Sequence, residues 1–212
     1  ALRYLVQLQP LFFQRAEWEQ PLRILDHSCG TGVWNAVASE LWPDSYRVNV
    51  EYQVAEPIRP KTAQEWHFGR RFQDWAQTYN GPLFDLVIGN GPFRELEEFF
   101  HIGYKLLKWG GLMWNLAPIN FLGTQERTQT LWNVLTPLYV VHSPKRLSFT
   151  KDGRSDEKEY VLILHQHGTI PQCAYEDWRF RWSEDQPDIP EDQVFCGQGA
   201  PDLQVSFTEV WS

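Results

Sequence analysis

The stretch LRILDHSCGTGVWNAVASEL, residues 22–41, decides the fold. A short apolar run, Leu22 to Leu25, ends on an acid, Asp26. Two glycines follow, and small and apolar residues then continue as a helix before Pro43. A strand that passes through a glycine turn into a helix is a building unit of an open parallel sheet. In such sheets ligands bind beyond the carboxyl ends of the strands. Gly30 and Gly32 carry no Cβ, so backbone there would approach a ligand closely. Asp26 would point into the same crevice and orient an ammonium group, directly or through water. The spacing is D-x-x-x-G-x-G. It lacks the third glycine of the dinucleotide fingerprint G-x-G-x-x-G, and no G-K-[ST] of a phosphate loop is present.

Outward from this turn the chain alternates. Residues 46–52 predict a second strand with Glu51 near its end, about 20 residues past the glycines, where a carboxylate accepts hydrogen bonds from ribose hydroxyls. A tight turn with a surface glutamate would give the same pattern. Residues 1–19 predict a helix broken at Pro10, and 55–65 a proline-rich loop with a short helix. Residues 72–79 predict a helix, followed by the turn residues Asn80-Gly81-Pro82. FDLVIGN (84–90) reads as a strand, 95–109 as an amphipathic helix stopped by Gly110-Gly111, and 112–118 as a strand. Residues 125–137 read as a helix ended by Pro137, and 139–143 and 159–167 as strands around a polar loop. Alternating strands and helices imply an α/β chain with a mostly parallel sheet covered on both faces. The last two strands have no clear helix between them, so one of them is expected to run antiparallel. Residues 1–168 form the expected domain, and 169–212 an irregular extension.

Composition narrows the classes. The chain has 212 residues, 42% hydrophobic and 15% aromatic, which is a globular composition with enough chain for a full core. Its eleven tryptophans are read first as core filling. No apolar run approaches the roughly 20 residues of a membrane helix, so no membrane association is expected. The start shows no basic leader with a cleavage site, although residue 1 is not Met. Cys29, Cys173 and Cys196 are odd in number and form no CxxC pair, as expected of free thiols in a reducing cytoplasm. Net charge is −8, of which −7 falls in residues 169–212. Overall acidity argues weakly against nucleic acid, and a near-neutral body with a local basic patch argues much less. His165 and His167 alternate on one strand without a nearby acid or cysteine, so no metal site is expected.

The second motif is FDLVIGNGPF, residues 84–93. An apolar strand stops at Asn90-Gly91-Pro92-Phe93. The Asn90 side-chain oxygen and the Gly91 carbonyl are two acceptors for one amino group, and Phe93 is a ring on which a planar substrate can stack. Two acceptors on one NH₂ draw its lone pair toward tetrahedral geometry, which is catalysis by positioning and electrostatics. A plain turn closing a strand is the bland alternative.

With both motifs in place, the chain resembles the class I S-adenosylmethionine-dependent methyltransferases. More narrowly it resembles the small N6-adenine DNA methyltransferases of phages and prophages. LDHSCGTG is similar to that family's cofactor loop, VEY (50–52) to its ribose-binding acid, and NGPF to its (D/N)PP(Y/F) element. GGLMWNLAPINFLGTQERTQTLW and KRLSFTKDGRSDEKEYVLIL resemble its later strands and the loop between them. The likeness covers about residues 8–168.

The resemblance implies a Rossmann-like, mostly parallel seven-stranded sheet and S-adenosyl-L-methionine as cofactor. Asp26, Ser28, Gly30, Gly32 and Glu51 would bind it, with Asp74 as a further candidate. Asn90, Gly91, Pro92 and Phe93 would be catalytic. DNA is the implied partner, with a flipped adenine as target. Phe149 would contact the base, and Lys145, Arg146, Lys151 and Arg154 the phosphates. Interleaved acids in the same loop fit an ordinary solvated loop equally well. RNA adenine and protein glutamine stay open as substrates, since any planar NH₂ suits two acceptors. Two residues depart from the pattern. Gly91 replaces a proline, which loosens φ. Arg71, in RRFQDW, takes the place of an acid that meets the cofactor's adenine. Both leave open a weakened or inactive member that binds cofactor or nucleic acid as a partner subunit. A nicotinamide-dependent oxidoreductase is disfavoured by the glycine spacing.

Overall fold

The computed structural model describes residues 21–53, 63–142 and 159–168, all within the unit Ala1–Thr169. Strand β1 (Arg23–Asp26) enters the glycine turn and helix α1 (Val33–Leu41). Strands β2 (Tyr46–Glu51) and β3 (Glu65–Phe68) follow, then helix α2 (Phe72–Thr78) and strand β4 (Phe84–Gly89). Helix α3 (Leu96–Lys105) leads into β5 (Leu107–Pro118), and the short helix α4 (Gln125–Arg127) passes into a π-turn at Thr128–Trp132. Strands β6 (Tyr139–His142) and β7 (Tyr160–Gln166) complete the described sheet.

The seven strands lie in the order β3-β2-β1-β4-β5-β7-β6. Pairing is parallel from β3 to β5, and β7 is antiparallel to both β5 and β6. The antiparallel strand expected near the end of the chain is therefore β7. All six residues of β4 are buried, as a central strand covered on both faces requires. Right-handed crossovers place α1 on one face and α2 and α3 on the other. The packing agrees: Phe72, Trp75, Phe99 and Phe100 share one hydrophobic cluster with the sheet, and α1 lies outside it. The strand order reverses between β1 and β4, which opens a crevice at their carboxyl ends.

Three elements differ from expectation. Glu65, the last residue of the loop expected over 55–65, opens an edge strand that runs to Phe68, for which no element was expected; residues 54–62 lie outside the described residues. The helix expected over 95–109 ends at Lys105, because Leu107 pairs with Phe84 and opens a long β5. Gly110, at φ 77°, sits in the irregular start of that strand instead of capping a helix. The helix expected over 125–137 is one α-turn followed by a π-turn. The expected helix 1–19 and extension 169–212 lie outside the described residues. Among the described residues no helix is long and apolar enough to cross a membrane.

His165 on β7 is fully buried. Its Nε2–H donates to the Leu135 carbonyl at 3.0 Å, and its ring meets Phe100 edge-on and Trp132 face-on. Burial pushes its pKa down to about 3. The unfolded chain takes up a proton near pH 6.5 and the folded one does not, so this group's contribution to stability is lost as pH falls below 6.5. A glutamine keeps the donor and cannot be charged. Relative to wild type, His165→Gln should therefore gain about 2 kcal/mol on going from pH 7 to pH 5. Urea unfolding of both proteins at the two pH values checks this. A pH-independent difference would count against a buried neutral imidazole.

Candidate active site

Beyond Asp26 the chain is held by the strands on either side. The His27 N–H donates to Ile88 O of β4 at 3.1 Å, and the Cys29 N–H to Val50 O of β2 at 3.2 Å. Gly30 and Gly32 then adopt left-handed φ of 51° and 81°, and Gly32 caps α1. A Cβ on Gly30 would meet no atom of the described residues within 4 Å.

Glu51 closes one side. Its Oε2 accepts from Gly30 N–H at 2.7 Å and its Oε1 from Gln53 N–H at 2.9 Å. Each oxygen keeps a second lone pair for a further donor. Asp26 is fully buried and pairs in register with Asn49 of β2 and Ile88 of β4. Its Oδ1 receives one long bond from Ser28 N–H, 3.4 Å, while its Oδ2 is buried with no partner among the described residues. Burial, reinforced by the Glu51 charge, raises its pKa to about 8. A carboxylate in this setting awaits a cation or holds a proton.

Asn90 follows β4 directly. Its backbone N–H donates to Ser28 Oγ at 3.1 Å, and its Oδ1 is buried without a partner among the described residues. Asp26, Ser28, Gly30, Gly32, Glu51 and Asn90 therefore converge at the carboxyl ends of β1, β2 and β4. Gly91 is buried against Phe99: a Cβ there would stand 2.8 Å from that ring's Cδ1. Pro92 is exposed, and the half-buried Phe93 ring lies 5.8 Å from that of Tyr160.

Arg71 precedes α2 and is drawn to Glu95, with a 2.8 Å ion pair. Asp74 stands exposed in the first turn of α2, where its charge acts on Arg71; no described bond joins it to the glycine turn. Phe149, Lys145, Arg146, Lys151 and Arg154 lie outside the described residues.

Sequence reasoning missed His27. The ring is 1% exposed, Nε2–H donates to Asn115 Oδ1 at 2.6 Å, and Nδ1 meets Ser28 Oγ at 3.1 Å. It stacks on Phe72 and meets Phe99 edge-on, with centroids 5.1 and 5.0 Å away. The available signal was the glycine at position 89, where a Cβ would sit 2.4 Å from His27 Cε1. A groove of about 490 Å³ lined by Arg23, Tyr46, Glu65 and Tyr79 opens at the amino ends of β1 to β3, the opposite rim from these residues.

No protein-family model and no curated protein sequence matches the chain. Solved structures do. A proposed class I S-adenosylmethionine-dependent methyltransferase from Listeria monocytogenes superposes with TM-score 0.56 at 15% identity, over 79% of this chain and 59% of that one. A SAM-dependent O-methyltransferase from Thermotoga maritima gives 0.52 at 14%, over 81% and 67%. A proposed methyltransferase solved with SAH gives 0.52 at 10%, over 68% and 45%. The chain thus spans about half to two thirds of the length of these structures. At such identities the likeness establishes the fold, which is the class I methyltransferase fold.

Gly89 leaves no room for a side chain over His27. Gly89→Ala should destabilise the protein by about 1–3 kcal/mol through overpacking, and Gly89→Ala with His27→Ala should recover part of that loss. Denaturant midpoints of the single and double variants test this; additive losses would show that the ring is not the obstacle.

Proposed function

We propose that this chain binds S-adenosylmethionine at the carboxyl ends of β1, β2 and β4 and methylates an amino nitrogen, adenine N6 in DNA. One observation carries the reading. Asp26 Oδ2 and Asn90 Oδ1, on the ends of adjacent strands, are both buried acceptors without a donor among the described residues. Natural proteins rarely leave such atoms unpaired, and an ammonium and an amino group are the donors each would suit.

The residues present fit that cofactor. Asp26 would hold its ammonium end, Glu51 would accept its ribose hydroxyls with the remaining lone pairs, and Gly30 and Gly32 would line the approach. The bound cofactor would supply an electrophilic methyl on a sulfonium. Asn90 Oδ1 and the Gly91 carbonyl would accept both hydrogens of one NH₂, and Phe93 would stack on the base. A half-turn of the Asn90 amide about χ2 exchanges its two ends and presents the oxygen outward. The choice of DNA rests on the resemblance of the NGPF element and its neighbours to N6-adenine enzymes.

A second reading keeps the cofactor and drops turnover. The burial of Asn90 Oδ1 favours it, because the acceptor must become accessible before a substrate amino group can reach it.

Labelled methyl from S-adenosylmethionine should reach DNA, and Asn90→Ala should lower the rate at least about 100-fold, the order of loss for one preorganised transition-state contact. Calorimetric binding of the cofactor with no transfer to DNA, RNA or protein would select the second reading. Absence of binding would end both.

The raised Asp26 pKa adds a pH signature. The free protein holds a proton on Asp26 below about pH 8. An ammonium partner would expel it, so cofactor affinity should rise by up to about tenfold per pH unit from pH 6 toward 8. Asp26→Asn should bind weakly with a flat profile. The same carboxylate lowers the stability of the free fold as pH climbs from about 4 through 8, so Asp26→Asn should raise the unfolding temperature most at pH 8 and above.

A further inference from the structure

We propose that His27 and Asn115 are positioning residues, which fix Asn90 through Ser28 and so set the acceptor on which methyl transfer depends. The inference rests on the methyltransferase reading of Asn90. Its parts form one directed chain. The Asn90 N–H can only donate, so Ser28 Oγ accepts it at 3.1 Å. The single hydroxyl proton of Ser28 is then free to point at His27 Nδ1, 3.1 Å away. The sense is set from the other end: Asn115 Oδ1 can only accept, so the ring proton sits on Nε2, 2.6 Å away, and the neutral ring's Nδ1 carries the lone pair that takes the Ser28 proton. The end that fixes the tautomer is on β5, a strand removed from the reacting groups.

The ring at the centre has one place to sit. Phe72 and Phe99 hold its face and edge, and Gly89 leaves the space above it. Burial lowers its pKa to about 4, so the imidazole is neutral and its Nδ1 stays an acceptor at physiological pH. Asn90 is the first residue past β4, where the ladder stops supplying backbone partners. The Ser28 hydroxyl replaces that partner. Ser28 also gives its N–H to Asp26 Oδ1 at 3.4 Å, so one residue touches both groups that carry a buried oxygen with no partner among the described residues. A shift of Ser28 therefore moves the two halves of the proposed site together.

The test uses the full chain. In wild type, long-range ¹H–¹⁵N spectra should show His27 as the Nε2–H tautomer at pH 7. Ser28→Ala should move the Nδ1 resonance and speed exchange of the Asn90 amide by about tenfold or more; Ser28→Thr, which keeps the hydroxyl, should restore both. Asn115→Ala should lower kcat by about 10- to 100-fold with KM for S-adenosylmethionine within about threefold, the signature of a misplaced group and not of lost binding. Asn115→Asp, which keeps the acceptor, should recover most of the rate. An Nδ1–H tautomer in wild type overturns the proposal whether or not the variants fold. So does unchanged Asn90 exchange in folded Ser28→Ala, or an Asn115→Ala loss confined to KM. If wild type transfers methyl to nothing, the methyltransferase reading fails, while tautomer and exchange still decide whether the relay holds Asn90.

Discussion

Two backbone hydrogen bonds carry the architecture of this site. After β1 ends, the turn does not leave the sheet: His27 N–H bonds to β4 and Cys29 N–H to β2, one on each side. The chain is thereby pinned in the crevice where strand order reverses. The positions of the surrounding groups follow from it. Gly30 presents its N–H to Glu51, Ser28 reaches both Asp26 and Asn90, and Asp26 is sealed beneath the turn. Side chains from three strands meet because one loop is bonded to two of them.

That enclosure has an electrostatic consequence. Water is kept from Asp26, and nothing among the described residues replaces it at Oδ2. Asp26 and His27 are adjacent and equally buried, yet burial moves them in opposite senses, the carboxyl up and the imidazole down. Both are thus favoured in their neutral forms. The difference lies in what surrounds them. His27 has both ring nitrogens engaged, whereas Asp26 has an oxygen left over. A satisfied buried group adds order to its neighbours; an unsatisfied one carries a desolvation cost that a ligand of the right charge can offset.

Much of this was legible in the sequence. The strand, glycine turn and helix at 22–41 were readable because apolar runs and glycines punctuate them, and α1 has the expected bounds. Glu51 and Asn90 were readable because a polar residue at the end of an apolar strand is conspicuous. What was hidden depends on tertiary contact. EWHF at 65–68 is a half-buried edge strand after a polar segment and lacks a strong alternation. Leu106-Leu107 continue the apolar face of α3 in sequence, and only pairing with Phe84 shows where the helix must stop. Asp74, a further candidate for the cofactor, lies exposed in the first turn of α2, and no described bond joins it to the glycine turn. His27 carried no sequence signal of its own, since its role is set by three residues more than 40 positions away.

The glycine at position 91 illustrates how such hidden contacts change the meaning of a motif. Read as a pattern, Gly91 is a missing proline and a loss of rigidity. In the structure it is an adaptation to the floor. Phe99 lies so close that any Cβ at 91 would press on its ring at 2.8 Å. Phe99 meets the His27 ring at a steep angle, and His27 in turn requires Gly89. Two glycines, one on each side of Asn90, therefore make room for one aromatic floor. The φ freedom that glycine introduces is countered by burial of Gly91 and by the Asn90 N–H bond to Ser28. At this position packing supplies restraint where the backbone is free, and Gly91→Pro would press on the Phe99 ring.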